Sequence, residues 1–410
     1  MNNEAKTVAV FGVGAQGSII AARLDAESGV KEIVCADYDE AAARRVAGGL
    51  KKARAVKVDA RNPGQVREAA RGAEVIVNAL PPDFNVTLMR AAVEHKACYQ
   101  DLASGPVEDT DFVSAVKRQL GLDGEFRAAG VGALINTGSA PGLVSVLARN
   151  AADKLEQIER IMIYIYDGIW TRRFIPFWWS PQTAFGDMAA EPINYVDGRF
   201  EVVGPYNDPV MIDFKGLGPR RLVDHEHEEP VTFGLLADKA FKGCRNVGFK
   251  YGGPALELAE SFYKMGLLGK EPVEVNGVRV VPLDLVCKLT PPAPSDPASI
   301  QEALAEGMVL EEGAALVRVD GMLEGRRTRI DSYINAPGLT ESFEKHGVTH
   351  ETFLTGQAAF MFTRLLVTGK IRQKGVFAPE LLDEEVREAY LEGLAALGIT
   401  VDEIVETRLY

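Results

Sequence analysis

The chain has 410 residues, 47% hydrophobic and 25% charged, which fits a globular protein of more than one domain and excludes a disordered or fibrous chain. Its 58 acidic side chains outnumber 45 basic ones, and the formal charge of −13 argues against a nucleic-acid partner. No apolar run approaches the ~18 residues of a membrane span, so no membrane partner is expected.

The opening "MNNEAKTVAVFG" lacks the charged and apolar regions of a secretory signal, which makes the cytoplasm the expected location. The scattered Cys35, Cys98, Cys244 and Cys287 read as buried apolar residues rather than disulfide partners.

From Thr7 to Leu155, β-rich runs alternate with helical segments: "TVAVFG", "EIVCAD", "AVKVDA", "EVIVNALP", "CYQDLA" and "ALINTG". Nearly continuous apolar strands of this kind are buried on both faces, and the rhythm predicts an α/β fold with a Rossmann-type, doubly wound parallel sheet. The grammar then changes. Asp197-Gly198 and Asn276-Gly277 sit between β-rich arms as hairpin turns, and a third pair surrounds Glu324-Gly325. With the helix "ALELAESFYKMGLL" and the Pro-rich "LTPPAPSDPAS" between them, these predict an α+β domain with a mixed, largely antiparallel sheet. From His350 the pattern is helical again.

The stretch "VAVFGVGAQGSIIAARL" carries G-x-G-x-x-G at Gly12, Gly14 and Gly17. In a βαβ unit the first glycine permits the turn, the second lets a pyrophosphate approach, and the third lets helix and strand pack closely. The backbone amides of Ala15 and Gln16 then open the helix toward the phosphates. Asp37 follows twenty residues after Gly17, where a carboxylate accepts from the adenosine ribose. A carboxylate repels a 2′-phosphate, and the next residue is Tyr38 rather than Arg, so NAD is favoured. NADP is the alternative, because Arg44, Arg45 and Arg61 lie within reach in sequence. Asp59 either faces the adenine or is a solvated strand end. The loop Asn78, Ala79, Leu80 and Pro81 ends the fourth strand at the ligand-binding edge of the sheet.

Glycine loop, Asp37, "VKVDA", "VNALPP", "YQDLA" and "NTGSAPGL", in this order, resemble the saccharopine dehydrogenase-like oxidoreductases. Further matches are "WWSPQTAF", "FKYGGPALELAESFYKMGLL" and "TGQAAFMFTRLLVTGKIRQKGVFAPE", so the resemblance spans nearly the whole chain. The layout is most similar to lysine 6-dehydrogenase. It implies a dinucleotide-binding domain over 1–140, a substrate-binding and dimerisation domain over 141–348, and C-terminal helices over 349–410 that return to the first domain. The implied activity is NAD(P)-dependent oxidation at a C–N bond, first of all oxidative deamination of the ε-amino group of L-lysine to the semialdehyde. The alternatives are reductive condensation of an aldehyde with an amine, as in saccharopine or carboxynorspermidine formation, and a dinucleotide-binding sensor without catalysis. The implied partners are an amino-acid or polyamine-type substrate and a second copy of the chain, as a homodimer or larger homo-oligomer.

Amine chemistry needs a group that keeps the amine unprotonated, since an alkyl ammonium has a pKa near 10.4. Asp101, at the carboxyl end of the fifth strand, is the first candidate base, and helix capping is its alternative role. Tyr99 alternates with Gln100 on that strand, so at most one of them faces the site. In "NTGSAPGL", Gly138, Pro141 and Gly142 precede a helix whose amides either hold a substrate carboxylate or serve only as a cap. Arg172, beside Arg173 and among Trp170, Trp178 and Trp179, offers a cation in an aromatic pocket or lies in an exposed loop. Lys250 stands where the resemblance leads one to expect a carboxylate-binding Arg, keeping the charge without the bidentate fork. Thr355 brings a hydroxyl toward the substrate or starts a helix. The alternating His225 and His227 of "DHEHEE" read as a solvated loop, and no metal is expected.

Overall fold

The computed structural model describes residues 5–107 and 110–408. The chain divides into two compact units, Met1–Asn150 with Thr352–Gly398, and Ala151–Glu351 with Ile399–Tyr410.

The first unit is built on a seven-stranded parallel sheet. Six strands come in chain order: β1 (Lys6–Phe11), β2 (Val30–Asp37), β3 (Ala53–Lys57), β4 (Val75–Asn78), β5 (Cys98–Asp101) and β6 (Gly132–Leu134). The seventh, Gly375–Phe377, arrives from the far end of the chain and pairs with β6. The order across the sheet is β3, β2, β1, β4, β5, β6, Gly375–Phe377, so the winding reverses between β1 and β4. That reversal opens a crevice at the strands' carboxyl ends, where such sheets bind ligands. The expected doubly wound sheet is present, with its central strands almost wholly buried. Helix His350–Val367 is buried on most of its circumference and is stitched to this sheet. Thr363 Oγ1 donates to Gln100 Oε1 at 2.8 Å, and Gln100 Nε2 donates to Ala359 O at 2.9 Å. Gln100 is thus the residue of "YQD" that faces the helix, with Thr137 Oγ1 as a further acceptor at 2.9 Å.

The second unit carries a nine-stranded mixed sheet. Its long central strand, β7 (Gln157–Thr171), runs parallel to Val247–Gly252 and antiparallel to Met308–Leu323, and the remaining pairings are antiparallel. All three expected hairpins are present. Asp197 and Gly198 have φ of 48° and 80°, Asn276 and Gly277 52° and 80°, and Glu324 and Gly325 51° and 71°. Two consecutive left-handed residues are what a tight turn matching strand twist requires, which is why the x-Gly pairs marked it.

Two segments differ from the expected division of the chain. Helix Leu143–Lys154 leaves most of its length with the first unit, because Val144, Val146, Leu147 and Ala148 are buried. At the other end, Thr400–Thr407 is a strand rather than a helix and pairs with Arg326–Asn335 in the second sheet. Its β-branched Thr400, Val401, Ile404, Val405 and Thr407 suit a pleated surface. Among the described residues, no helix is long and apolar enough to cross a membrane.

Candidate functional site

The loop after β1 has the geometry that the glycines announce. Gly12 has φ +82°, and a Cβ there would fall 2.8 Å from Ala79 O and from the Leu80 side chain. A Cβ on Gly17 would fall 1.8 Å from Gly12 O, so that close approach admits no side chain. At Gly14 a Cβ would meet nothing within 4 Å. The free space lies directly ahead of helix α1 (Ala15–Ala26), whose first-turn N–H groups have no acceptor within the helix. Gln16 Oε1, buried without a hydrogen-bond partner, lies instead against Gly356 of helix His350–Val367.

Asp37 fastens this loop. Its Oδ2 accepts from Val13 N–H at 2.9 Å and its Oδ1 from Asp39 N–H at 2.9 Å. From the neighbouring strand, Ala79 N–H donates to Phe11 O at 2.8 Å. Buried Asn78 holds the bend before Pro81, accepting from Leu80 N–H at 3.1 Å and donating to Asn85 Oδ1 at 2.8 Å and Tyr99 Oη at 3.0 Å. Open space at a helix N-terminus and a carboxylate at the second strand end fit a dinucleotide. Asp59 lies apart from these contacts, paired with Arg61 at 2.8 Å near the surface.

Asp101 is brought to the carboxyl edge of the sheet, but it is only 1% exposed. Its Oδ1 accepts from Asn136 N–H at 2.7 Å, and its Oδ2 accepts from Gln119 Nε2 at 2.8 Å and Tyr99 Oη at 3.1 Å. Burial pushes its carboxyl up to about 7 against those hydrogen bonds. Asn136 has φ +63°, so the carboxylate clamps a left-handed bend just before "TGSAPG". Tyr99 is fully buried in the same network.

Beyond that bend, Gly142 has φ +130°, and a Cβ there would meet Gly138 O at 2.2 Å. Leu143 N–H donates to Gly138 O and Val144 N–H to Ser139 O, at 3.1 and 3.0 Å. These leading amides of the helix after Pro141 are therefore occupied by protein carbonyls. Thr355 contributes a hydroxyl 2.9 Å from Ser139 Oγ, at a partly exposed position.

In the second unit, Lys250 is 4% exposed and its ammonium is fully engaged. It donates to Asp224 Oδ1 at 2.7 Å, Asp208 Oδ2 at 2.9 Å and Asp208 O at 2.7 Å. Three donors on three acceptors make it a strut between strands. Arg172 is exposed, while Arg173 pairs with Glu302 at 2.9 Å. Trp178 is buried with Ile169, Ile175, Ala303 and Leu339, so it belongs to the core rather than to a pocket beside Arg172.

Residues expected to be a solvated loop instead form a charged, largely buried cluster in this unit. His227 lies flat on Phe249, ring centroids 3.8 Å apart and planes within 5°. Its Nδ1 is 2.5 Å from Glu229 Oε2 and 3.0 Å from Glu228 Oε2. Glu229 is 0% exposed, and its second oxygen has no partner. Burial opposes the imidazolium, but the Glu229 and Glu228 carboxylates outweigh it and push His227 up to about 9. Glu226 is pushed up to about 7 by burial and by Asp187. Two buried carboxyl groups, Glu228 and Glu229, thus contact one imidazole, and one of their oxygens is left as a free acceptor. A neighbouring set joins His350 Nε2 to Asp167 Oδ1 at 3.7 Å, with Tyr251 Oη 3.4 Å from Asp167 Oδ2.

Comparison with known proteins follows the same lines. Residues 8–134 match the family model of the saccharopine dehydrogenase NADP binding domain, and residues 138–399 match that of the saccharopine dehydrogenase C-terminal domain. The carboxynorspermidine synthase of Vibrio cholerae is 25% identical over 341 residues, 80% of this chain and 77% of that protein. The carboxyaminopropylagmatine dehydrogenase of a Synechocystis species is 22% identical over 406 residues, 97% of each chain. The saccharopine dehydrogenase (L-Glu forming) of Saccharomyces cerevisiae shares the fold with a TM-score of 0.70 at 14% identity, over 98% of this chain and 100% of that one. The homospermidine synthase of Legionella pneumophila, solved with NAD, does so with a TM-score of 0.68 at 12% identity, over 100% and 96%. With both of its domain models matched in order, and with a dinucleotide cradle in the first of them, this chain belongs to the saccharopine dehydrogenase family of NAD(P)-dependent oxidoreductases.

Proposed function

We propose that this enzyme catalyses reductive condensation of an amino-acid-derived aldehyde with an amine, forming a carboxylated secondary amine. The aldehyde and a primary amine lose water to give a C=N bond, and a hydride and a proton then complete the C–N single bond. When bound, the reduced nicotinamide supplies the hydride. Gly12, Gly14, Ala15, Gln16 and Gly17 would hold its pyrophosphate, and Asp37 the adenosine ribose. Ala79, Leu80 and Pro81 form the wall beside that loop.

The observation that carries the substrate reading is the His227, Glu228 and Glu229 group. Buried carboxyl groups around one imidazolium are stabilised by a further cation, and an ammonium supplies both charge and three donors. A substrate with a second amino group fits that need better than an amino acid alone, and the chain's charge of −13 favours approach of a polycation. Both sequence relatives named above have carboxylated amines in their names, which supports the same direction. In this reading His227, held cationic by Glu228 and Glu229, balances the buried carboxylates. Asp101 acts as a positioning residue, setting the Asn136 bend. A homo-oligomer is part of the proposal, which size-exclusion chromatography with light scattering checks.

The test is a panel of amino-acid semialdehydes and diamines with NADH or NADPH, following reduced-cofactor absorbance. Oxidation that requires aldehyde and diamine together is the expected result. Reduction of NAD by lysine alone, with no reductive turnover, would restore the ε-deamination reading and overturn this one.

A further inference from the structure

A second concavity in the first unit is absorbed by none of these roles. A cavity of about 240 Å³ opens between helices Pro63–Ala70, Asn85–His95 and Phe112–Leu120. Arg67, Arg90 and Arg118 line it, on a chain whose overall charge is strongly negative. Arg67 sits 3.7 Å from Glu94, a loose surface pair, and Asp83 is the other carboxylate on the wall. Among the described residues, no carboxylate pairs with Arg90 or Arg118, and both side chains are exposed. Arginines lining one hollow concentrate positive charge there, and their planar forks match phosphate and carboxylate oxygens.

The floor of the hollow connects to the catalytic edge. Asn85, 2% exposed, accepts from Asn78 at 2.8 Å, and Asn78 in turn holds the Leu80 bend against the glycine loop. Gln119, 3% exposed, donates to Asp101 Oδ2 at 2.8 Å and accepts from Ser104 Oγ at 2.7 Å. Each is one hydrogen bond from a group that shapes the dinucleotide cradle or the Asn136 bend.

We infer that this cavity is an effector site for a small multivalent anion, held by Arg90 and Arg118, whose binding changes dinucleotide affinity through Asn85–Asn78 and Gln119–Asp101. The shared chemistry is two or more anionic oxygens, which inorganic phosphate and a dicarboxylate such as glutarate both provide. A ligand that draws the arginine-bearing helices inward shifts two buried amides, and any differential affinity it has must appear reciprocally in cofactor binding.

The test is calorimetry on the full chain saturated with NADH, with phosphate and glutarate as separate probes and chloride at matched ionic strength. Saturation with NADH removes the glycine cradle as a competing phosphate site. The expected result is saturable binding of at least one probe, weakened tenfold or more in the Arg90→Gln/Arg118→Gln double variant. That variant should keep the wild-type melting temperature and NADH affinity in chloride. NADH affinity of the wild type should change at least threefold when the cavity is filled. Binding seen only without NADH, binding matched by chloride, binding unchanged in the double variant, or unaltered NADH affinity would each overturn the inference. Because no readout involves turnover, its failure is separate from failure of the proposed reaction.

Discussion

Two glycines of the same loop, Gly14 and Gly17, should respond to substitution in different ways. Gly14 has a negative φ of −70°, and a Cβ there touches nothing within 4 Å. Gly14→Val should therefore leave the free protein folded, with a loss of about 1 kcal/mol or less from the changed helix N-cap. The side chain would instead occupy the space ahead of α1 that a pyrophosphate needs. Hydrogen bonds to a charged group contribute about 1.5–3 kcal/mol each. Losing two of them removes about 3–6 kcal/mol, a rise in Kd of roughly 100-fold or more. Gly17→Ala differs, because its Cβ would lie 1.8 Å from Gly12 O and the overlap is with backbone. Overpacking of that kind costs about 1–3 kcal/mol, so this variant should lose melting temperature as well as cofactor affinity. Fluorescence titration with NADH and thermal melts of both variants separate the two effects. Wild-type NADH affinity in Gly14→Val would refute the cradle, and unfolding of that variant would refute the reading of the space as empty.

Other perturbations test the remaining assignments. Asp37→Ser removes the carboxylate proposed to hold the ribose and should raise the ratio of NADP to NAD affinity at least tenfold in competition titrations. Lys250→Met leaves Asp224 buried without its cation and should destabilise the second unit by about 3–5 kcal/mol in urea unfolding. If turnover per folded molecule fell while stability held, Lys250 would be a substrate contact after all. For Asp101, the folded-state pKa of about 7 lies above the ordinary 3.8, so its stabilising effect is complete below 3.8 and is lost as pH rises through 7. Asp101→Asn should flatten that loss, seen as a smaller fall in unfolding free energy between pH 5 and pH 8. His227 is raised from 6.5 to about 9, so its contribution is complete below 6.5 and disappears as pH passes 9. Melting temperatures from pH 6 to 10 should fall more steeply in the wild type than in His227→Gln, and equal slopes would remove His227 as the interior cation.

What could be read from the sequence was what local chemistry dictates. Three glycines and one carboxylate define the cradle because each answers a constraint within a single βαβ unit. Gly12 needs its positive φ, Gly17 its missing Cβ, and Asp37 the end of the adjacent strand. The hairpins were legible for the same reason, since consecutive left-handed residues select Asn-Gly and Asp-Gly. Position along a strand also placed Asp101 at the right edge of the sheet. It could not reveal that Gln119 and Asn136, 18 and 35 residues away, would close over both oxygens. Lys250 was misleading in a similar way. Its partners Asp208 and Asp224 lie 42 and 26 residues earlier in the chain; strand pairing brings Asp224 to it, and the loop before Val210–Phe214 brings Asp208.

The His227 group shows where a local signal existed but pointed the other way. A run of four acids and two histidines reads as solvated when it is taken alone, because charge usually marks the surface. The segment that follows, "PVTFGLL", is apolar on every side, and a helix of that composition must be buried. Glu228 and Glu229 occupy the first turn of that helix, Glu228–Leu235, so the burial of its body carries them inward. The helix N-terminus offsets part of the cost of burying them, and His227 offsets more. What remains is Glu229 Oε1 without a hydrogen-bond donor, whereas the interior charges Lys250 and Asp331 are paired. An unpaired buried acceptor is retained at a cost of about 1–3 kcal/mol unless a ligand supplies the donor. A diamine that binds this unit should therefore raise its stability more than a monoamine of equal length, and Glu229→Gln should abolish the difference.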